Sequence, residues 1–264
     1  MHHSSDLRAL RLDGRTPDQL RPVSIEHGAQ KMPDGSASIR CGDTWVVCAA
    51  SVDERIPTWL AGKGKGWVTA EYAMIPSATP GRGTREGWRG QGPSGRTLEI
   101  GRLIGRALRA AIDLEKLGER TVTVDCDVVQ ADGGNRTASV TGGFVALALA
   151  LEKLRGDGHV AAGVIRDTVC AVSVGVLAGG AVVLDMPYQE DSRAEVDLNI
   201  VSTGTGRIVE VQCTAEGPPF APELLDEMVA LGRRGNAELT SIQRRVLAAA
   251  GVDIKRLIAA PESR

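Results

Sequence analysis

A chain of 264 residues is long enough to bury one large core or two small ones. With 24% charged and 42% hydrophobic residues it is neither a disordered nor a collagen-like chain. The formal net charge of −2 names no partner, because a basic surface can be balanced by acids elsewhere.

Residues 1–10 carry polar and charged side chains before any apolar run. They lack the hydrophobic stretch of a secretory signal and are expected to form a disordered extension ahead of one domain spanning 11–250, with a tail over 251–264. From 23 to 52, short alternating runs broken by Pro33-Asp34-Gly35 and Gly42-Asp43 predict β structure. Residues 60–96 are dense in glycine and are expected to form one long loop, which at that length is usually functional. The period then changes. Leu103, Ile104, Ala107, Leu108, Ala111 and Ile112 make one helical stripe within 97–117, opposite Glu99, Arg102, Arg106, Arg109 and Asp113.

Residues 121–130 alternate as a strand, Asp132-Gly133-Gly134-Asn135 is a turn, and 138–155 returns to helix with Phe144, Leu147, Leu151 and Leu154 on its core side. Hairpins are expected across Gly179-Gly180 and across Gly204-Thr205-Gly206, followed by two helices over 222–233 and 238–249. Hairpin-grouped strands with helices between the groups predict an α+β layered fold. The uncharged stretch 168–184 is interrupted by Gly179-Gly180, so it reads as a hairpin, and no membrane role is expected. Cys41, Cys48, Cys126, Cys170 and Cys213 are odd in number and contain no C-x-x-C pair, which disfavours a disulfide framework or thiolate zinc site and fits a reducing cytoplasm.

Three constellations can carry chemistry. Between 60 and 110, nine basic residues, among them Arg82, Arg85, Arg89 and Arg96, face only Glu71, Glu86 and Glu99. Guanidinium groups pair bidentately with phosphate oxygens, so the segment suits a phosphate backbone, although a solvated basic loop would look the same. The turn from Asp132 to Thr137 joins a strand to a helix N-terminus, where unpaired amides and the positive end of the helix dipole stabilise an anion. A tight turn with a polar cap is the plainer account, and Arg136 inside the turn weighs against it. Between Asp185 and Asp197 the acids Asp185, Glu190, Asp191, Glu195 and Asp197 outnumber Arg193, and Asp197 and Asn199 should share one strand face. Converging carboxylates suit Mg²⁺, though any one of them could simply be exposed. An arginine cradle, an oxyanion turn and an acid cluster together are the parts that phosphoryl transfer uses.

Other chemistries lack their residues. There is no G-x-S-x-G and no H-E-x-x-H, the turn from Asp132 to Thr137 has neither the G-K-[ST] of a Walker loop nor the G-x-G-x-x-G of a dinucleotide fingerprint, and the four histidines are scattered. The eight aromatic residues are too few for a repeated stacking platform, so RNA contacts would rest on phosphates, with room for a stack on Trp67, Tyr72 or Trp88.

Several motifs in order, Arg11-Leu-Asp-Gly-Arg15, Gly64-Lys-Gly-Trp-Val-Thr-Ala-Glu-Tyr72, Gly95-Arg-Thr-Leu-Glu-Ile100, Asp132-Gly-Gly-Asn-Arg-Thr-Ala138, Glu190-Asp-Ser192 with Asp197, and Glu210-Val-Gln212 with Thr214-Ala-Glu-Gly217, make the chain resemble the ribonuclease PH family from about Arg11 to Leu247. The resemblance implies a single catalytic domain of that family's layered β-α type and a phosphate-dependent 3′-to-5′ exoribonuclease. Such an enzyme is a nucleotidyltransferase that trims transfer RNA precursors, releases nucleoside diphosphates and can run in reverse. It further implies a homohexamer built as a trimer of dimers. Inorganic phosphate would sit on Arg96, Gly134, Asn135 and Arg136, a divalent metal such as Mg²⁺ on Asp191 and Asp197 as the catalytic pair, and RNA on Arg82, Arg85 and Arg89. Ser77, Asn135 and Cys213 depart from the family's usual arginine, threonine and glycine. Two other readings are a non-catalytic RNA-binding ring subunit of the same fold and a small-molecule kinase, the latter opposed by the missing Walker features.

Overall fold

The computed structural model describes residues 11–86 and 92–258. Strands β1 (Val23–His27), β2 (Gly35–Cys41) and β3 (Thr44–Asp53) form an antiparallel meander. Strand β4 (Trp67–Met74) lies within the stretch expected to be one loop. It runs parallel to β5 (Thr121–Gln130), with Trp67 opposite Thr121 and Met74 opposite Val128. Its inward residues are Val68, Ala70 and Tyr72. Two of these are small or modest in size, and the pairing partner lies far along the chain, so local hydrophobicity gave little signal. The five-stranded sheet has the order β1-β2-β3-β5-β4.

The crossover between the parallel strands contains α1 (Gly95–Ala110) and the single turn α2 (Leu114–Leu117). A break after Ala110 divides the helix expected over 97–117. Helix α1 buries Leu103, Ile104, Ala107 and Leu108 of the expected stripe together with Ile100, and Ala111 and Ile112 are buried just past its end. Helix α3 (Asn135–Gly156) is buried almost all round rather than on one side. It is long and apolar enough to cross a bilayer by composition alone, but its apolar surface is consumed inside the protein between the two sheets.

The second sheet is antiparallel, in the order β7-β6-β8-β9, from β6 (Val169–Leu177), β7 (Ala181–Leu184), β8 (Val196–Thr203) and β9 (Ile208–Ala215). A short α4 (Tyr188–Asp191) links β7 to β8. Strand β6 is covered on both faces, by α3 and by α5 (Pro222–Ala249), which accounts for its near-continuous apolar sequence. A second core of Val172, Val174, Leu198, Ile200, Met228 and Leu231 sits under α5. The chain ends its described part in α6 (Ile254–Leu257).

Helix α5 is one element of 28 residues where two helices were expected. Gly235-Asn236 does not break it, because both residues are used for packing. A Cβ on Gly235 would lie 2.9 Å from Leu184 Cδ1, and one on Gly232 would lie 2.4 Å from Ile200 Cγ2. Asn236 is buried, and its Nδ2 donates to Ile200 O at 3.2 Å and Ser202 Oγ at 2.9 Å, so its side chain does not compete for the helix backbone. Gly232→Val should therefore lower stability by about 1–3 kcal/mol through overpacking, read as a shift in the urea midpoint without a change in slope.

Candidate active site

The two sheets meet where β5 turns into α3, and the turn is shaped by glycines in left-handed conformation. Gly133 has φ 73° and Gly134 has φ 66°. A Cβ on Gly133 would sit 2.5 Å from Met186 O. Gly134 caps α3 without a side-chain hydrogen bond, so the helix N-terminus is presented by backbone and by Asn135 and Arg136.

Buried charges hold this turn to the second sheet. Arg21 is nearly inaccessible. Its Nη2 donates to Asp185 Oδ1 at 2.7 Å and to Gly133 O at 3.3 Å, its Nε donates to Asp185 Oδ2 at 3.1 Å, and its Nη1 donates to Asp132 O. Asp185 stands at φ 52°, a left-handed conformation that aspartate tolerates better than most side chains. Its backbone oxygen accepts from Arg11 and Arg15, both at 3.0 Å. Glu190 is buried and accepts from Arg11 through both oxygens. On the other side, Asp132 Oδ1 accepts the Tyr188 backbone N–H at 3.1 Å, tying the turn to the start of α4.

Asp185 and Glu190 are thus structural ion-pair members, not part of a converging acid cluster. The sequence could not separate them from Asp191 and Asp197, because the pairing arginines lie more than 160 residues earlier. Their anchoring leaves Asp191 half-buried near the turn. Burial raises the Asp191 pKa, which the charges of Arg136, Arg96 and Arg21 oppose. On β8, Asp197 is pushed up to about 6, first by burial and then by the charge of Asp191, against Arg136 and a hydrogen bond from Asn199 Nδ2 at 3.2 Å. Asp197 and Asn199 do share a strand face. Arg96 of α1 and Arg136 of α3 thus both act on Asp191 of α4, and Arg136 and Asp191 act on Asp197 of β8.

The structure adds residues that the site reading omitted. Tyr72 is buried, which raises its phenol pKa to about 12, with Arg96 and Arg136 acting in the opposite direction. Glu216 adds negative charge at both Asp191 and Asp197. Gln212 on β9 contacts Arg136, with Nη1 donating to Oε1 at 3.1 Å. Gln212 and Glu216 show in the sequence only through their place in the quoted motifs, whereas Tyr72 is also a stacking candidate there. Cys213 flanks Asp197, whose charge raises the thiol pKa alongside burial.

Two other basic residues of α1 have partners within the protein. Arg109 stacks over Trp67 at 4.3 Å and donates to Val68 O, and Arg106 pairs with Glu210 at 2.6 Å. Arg109 is thereby taken up in packing, whereas Arg106 stays exposed in a surface ion pair. Trp67 itself packs edge-on against Trp59 at 4.9 Å. Arg82 and Arg85 are exposed on the segment following β4. Arg89 and Trp88 lie outside the described residues.

Two side-chain oxygens at the site are suited to meeting a ligand. Asp197 Oδ1 and Asn135 Oδ1 are buried without a hydrogen-bond partner among the described residues. Unpaired buried oxygen is costly, and a half-turn of the Asn135 amide would put its NH₂ in place of the oxygen. Among the described residues no group of three or more His, Cys, Asp or Glu side chains could cage a metal. Two carboxylates with an unpaired oxygen suit Mg²⁺, which binds through one or two carboxylates and keeps several waters.

Residues 19–151 match the model of the 3′ exoribonuclease family, domain 1, and residues 167–235 match that of domain 2. The ribonuclease PH of Bacillus pumilus is 52% identical over 237 residues, covering 90% of this chain and 98% of that protein. The ribonuclease PH of Bacillus subtilis is 51% identical over 238 residues, covering 90% and 97%. Among solved structures, rice Rrp46 superposes with a TM-score of 0.73 at 20% identity, covering 90% of this chain and 100% of that one. An Archaeoglobus fulgidus exosome with RNA bound to its active site gives 0.73 at 23% identity, covering 88% and 92%. These two show the shared fold. The chain belongs to the ribonuclease PH family of 3′ exoribonucleases, its two family segments built on the two sheets that meet at the site.

Proposed function

We propose that the chain is a phosphate-dependent nucleotidyltransferase that shortens the 3′ ends of transfer RNA precursors. An oxygen of inorganic phosphate attacks the last internucleotide phosphorus, the bond to the 3′ oxygen of the preceding nucleotide breaks, and that oxygen takes a proton. The products are a nucleoside diphosphate and an RNA shorter by one residue, and the exchange of one phosphate linkage for another makes the reaction reversible. The observation that carries this reading is the convergence of Arg96 and Arg136 on Asp191, with Arg136 and Asp191 both acting on Asp197.

Arg96, Arg136, Asn135 and the first-turn amides at Gly134 bind and orient the phosphate, using charge-assisted hydrogen bonds in a partly buried cleft. Asp191 and Asp197 would hold Mg²⁺, which when bound supplies positive charge against the charge developing on the phosphoryl oxygens. Asp197, raised to about 6 by burial and then by the charge of Asp191 and so mostly ionised with a protonated fraction at neutral pH, is the group that passes a proton to the leaving oxygen. Arg82, Arg85 and Arg89 contact the RNA backbone beyond the cleft. The unit of action is a homohexamer, a trimer of dimers, expected to scatter light as six times the 27.8 kDa chain. All five cysteines are free thiols, consistent with a cytoplasmic setting.

Arg96→Ala is expected to raise the KM for phosphate by one to two orders of magnitude, measured as phosphate-dependent release of nucleoside diphosphate from a short RNA. Unchanged phosphate dependence at comparable turnover would remove Arg96 from the phosphate site.

A further inference from the structure

The residues around Arg136 hold more than a phosphate site requires. Arg136 Nη1 donates to Gln212 Oε1 at 3.1 Å and lies 3.7 Å from Glu99 Oε1. Gln212 Nε2 donates in turn to the same Glu99 oxygen at 3.3 Å and to Glu210 Oε1 at 3.1 Å. Only one orientation of the Gln212 amide satisfies this set: the carbonyl faces the guanidinium and the NH₂ faces the two carboxylates. Glu210 is fixed by Arg106, at 3.0 Å and 2.6 Å. Glu99 lies one turn beyond Arg96 on α1, so a carboxylate stands beside both arginines assigned to phosphate.

We infer that Glu99 is a built-in competitor for the phosphate arginine, and that Gln212 is the positioning residue that holds Arg136 between this carboxylate and the incoming nucleophile. The inference rests on the reading of Arg136 as a phosphate ligand. Without phosphate, Glu99 and Gln212 satisfy part of the guanidinium fork. Phosphate must displace or share the Glu99 contact and does so against like-charge repulsion, so the carboxylate lowers phosphate affinity. Gln212 is uncharged and couples α1, α3 and β9, so it sets direction without competing for charge. The Glu99 side chain is 41% exposed, which keeps the competition modest and easily reversed.

The test uses the full-length protein with inorganic phosphate as the probe, reading the KM for phosphate in phosphorolysis and, separately, phosphate binding by calorimetry without RNA. Glu99→Gln keeps the size and hydrogen-bonding ability of the side chain but removes the anion. It should tighten phosphate by about three- to tenfold in both measurements. Gln212→Glu adds a carboxylate against Arg136 and should weaken phosphate by tenfold or more. Gln212→Ala should weaken it less, with the effect on KM rather than kcat. Glu115→Gln, which breaks an exposed pair with Lys65 elsewhere, controls for net charge and should leave phosphate affinity unchanged. Melting temperatures of all variants separate these effects from misfolding. A phosphate-dependent wild type whose Glu99→Gln variant binds phosphate equally or more weakly, at unchanged melting temperature, overturns the inference alone. A wild type with no phosphate dependence overturns the reading of the site beneath it.

Discussion

Asp197→Asn is expected to lower kcat by about 10²- to 10⁴-fold while making the metal-free protein more stable at pH 7. The kinetic loss follows because asparagine can neither donate the proton nor carry the charge that Mg²⁺ would require, and RNA binding should persist in a fluorescence anisotropy assay. The gain in stability follows from the site itself. Burial first, and then the charge of Asp191, raises the carboxyl from its ordinary value of 3.8 to about 6. A carboxyl with a raised folded pKa favours the native state fully below the unfolded value, and that contribution is lost as pH rises through the folded value. At pH 7 the ionised Asp197 therefore costs about 2–3 kcal/mol, which asparagine avoids. Urea unfolding in the presence of a chelator should show the variant ahead at pH 7 and level with the wild type below about pH 4. A variant with wild-type turnover would exclude Asp197 from the chemistry, and one less stable at neutral pH would mean that Asp197 is not strained by its surroundings.

Asp185→Asn is expected to cost about 3–5 kcal/mol, the largest stability loss predicted for a near-isosteric change in this protein. Burial alone would raise the Asp185 pKa, but the charge and hydrogen bonds of Arg21, joined by Arg15, hold it below the ordinary 3.8. Removing the negative charge leaves buried guanidinium groups underpaired, which costs more than the pair itself contributes. Asparagine also tolerates left-handed backbone, so the variant tests charge rather than conformation. For a chain of this size the loss corresponds to a fall in Tm on the order of 10 °C. The sign with pH is opposite to that at Asp197. A depressed folded pKa gives stability that is present above the unfolded value and disappears as pH falls through the folded one. The difference between wild type and variant should thus be full at pH 7 and shrink below pH 4, and a difference that stayed constant into acid would locate the effect in packing. Because Arg21 also holds the carbonyls of Asp132 and Gly133, the variant should weaken phosphate binding as well.

The two carboxylates lie only 12 positions apart in a stretch that the sequence presents as one acidic run, yet they act in opposite ways. Asp197 has no arginine within hydrogen-bonding distance among the described residues and an unpaired buried oxygen, whereas Asp185 is saturated by Arg21. That difference depends on which distant side chains the fold delivers, and no local pattern contains it.

Features that depend on near neighbours along the chain are legible in the order of residues. The α1 stripe, the glycine turn before α3 and both hairpins of the second sheet follow from periodicity and turn chemistry within a few residues. The ordered motifs, from the Arg11–Arg15 run to Glu216, were enough to identify the family. Features that depend on pairing across the chain emerge only once the fold is formed. Strand β4 is recognisable as a strand because β5 lies beside it in parallel. Helix α5 runs through Gly235-Asn236 because Leu184, Ile200 and Ser202 receive those residues. The assignment of Arg106, Arg109, Asp185 and Glu190 to structure, and the placing of Gln212 and Glu99 at Arg136, follow the same rule. Charged side chains acquire a role from the partners brought within a few ångströms, and those partners come from segments that have no contact until the two sheets have packed.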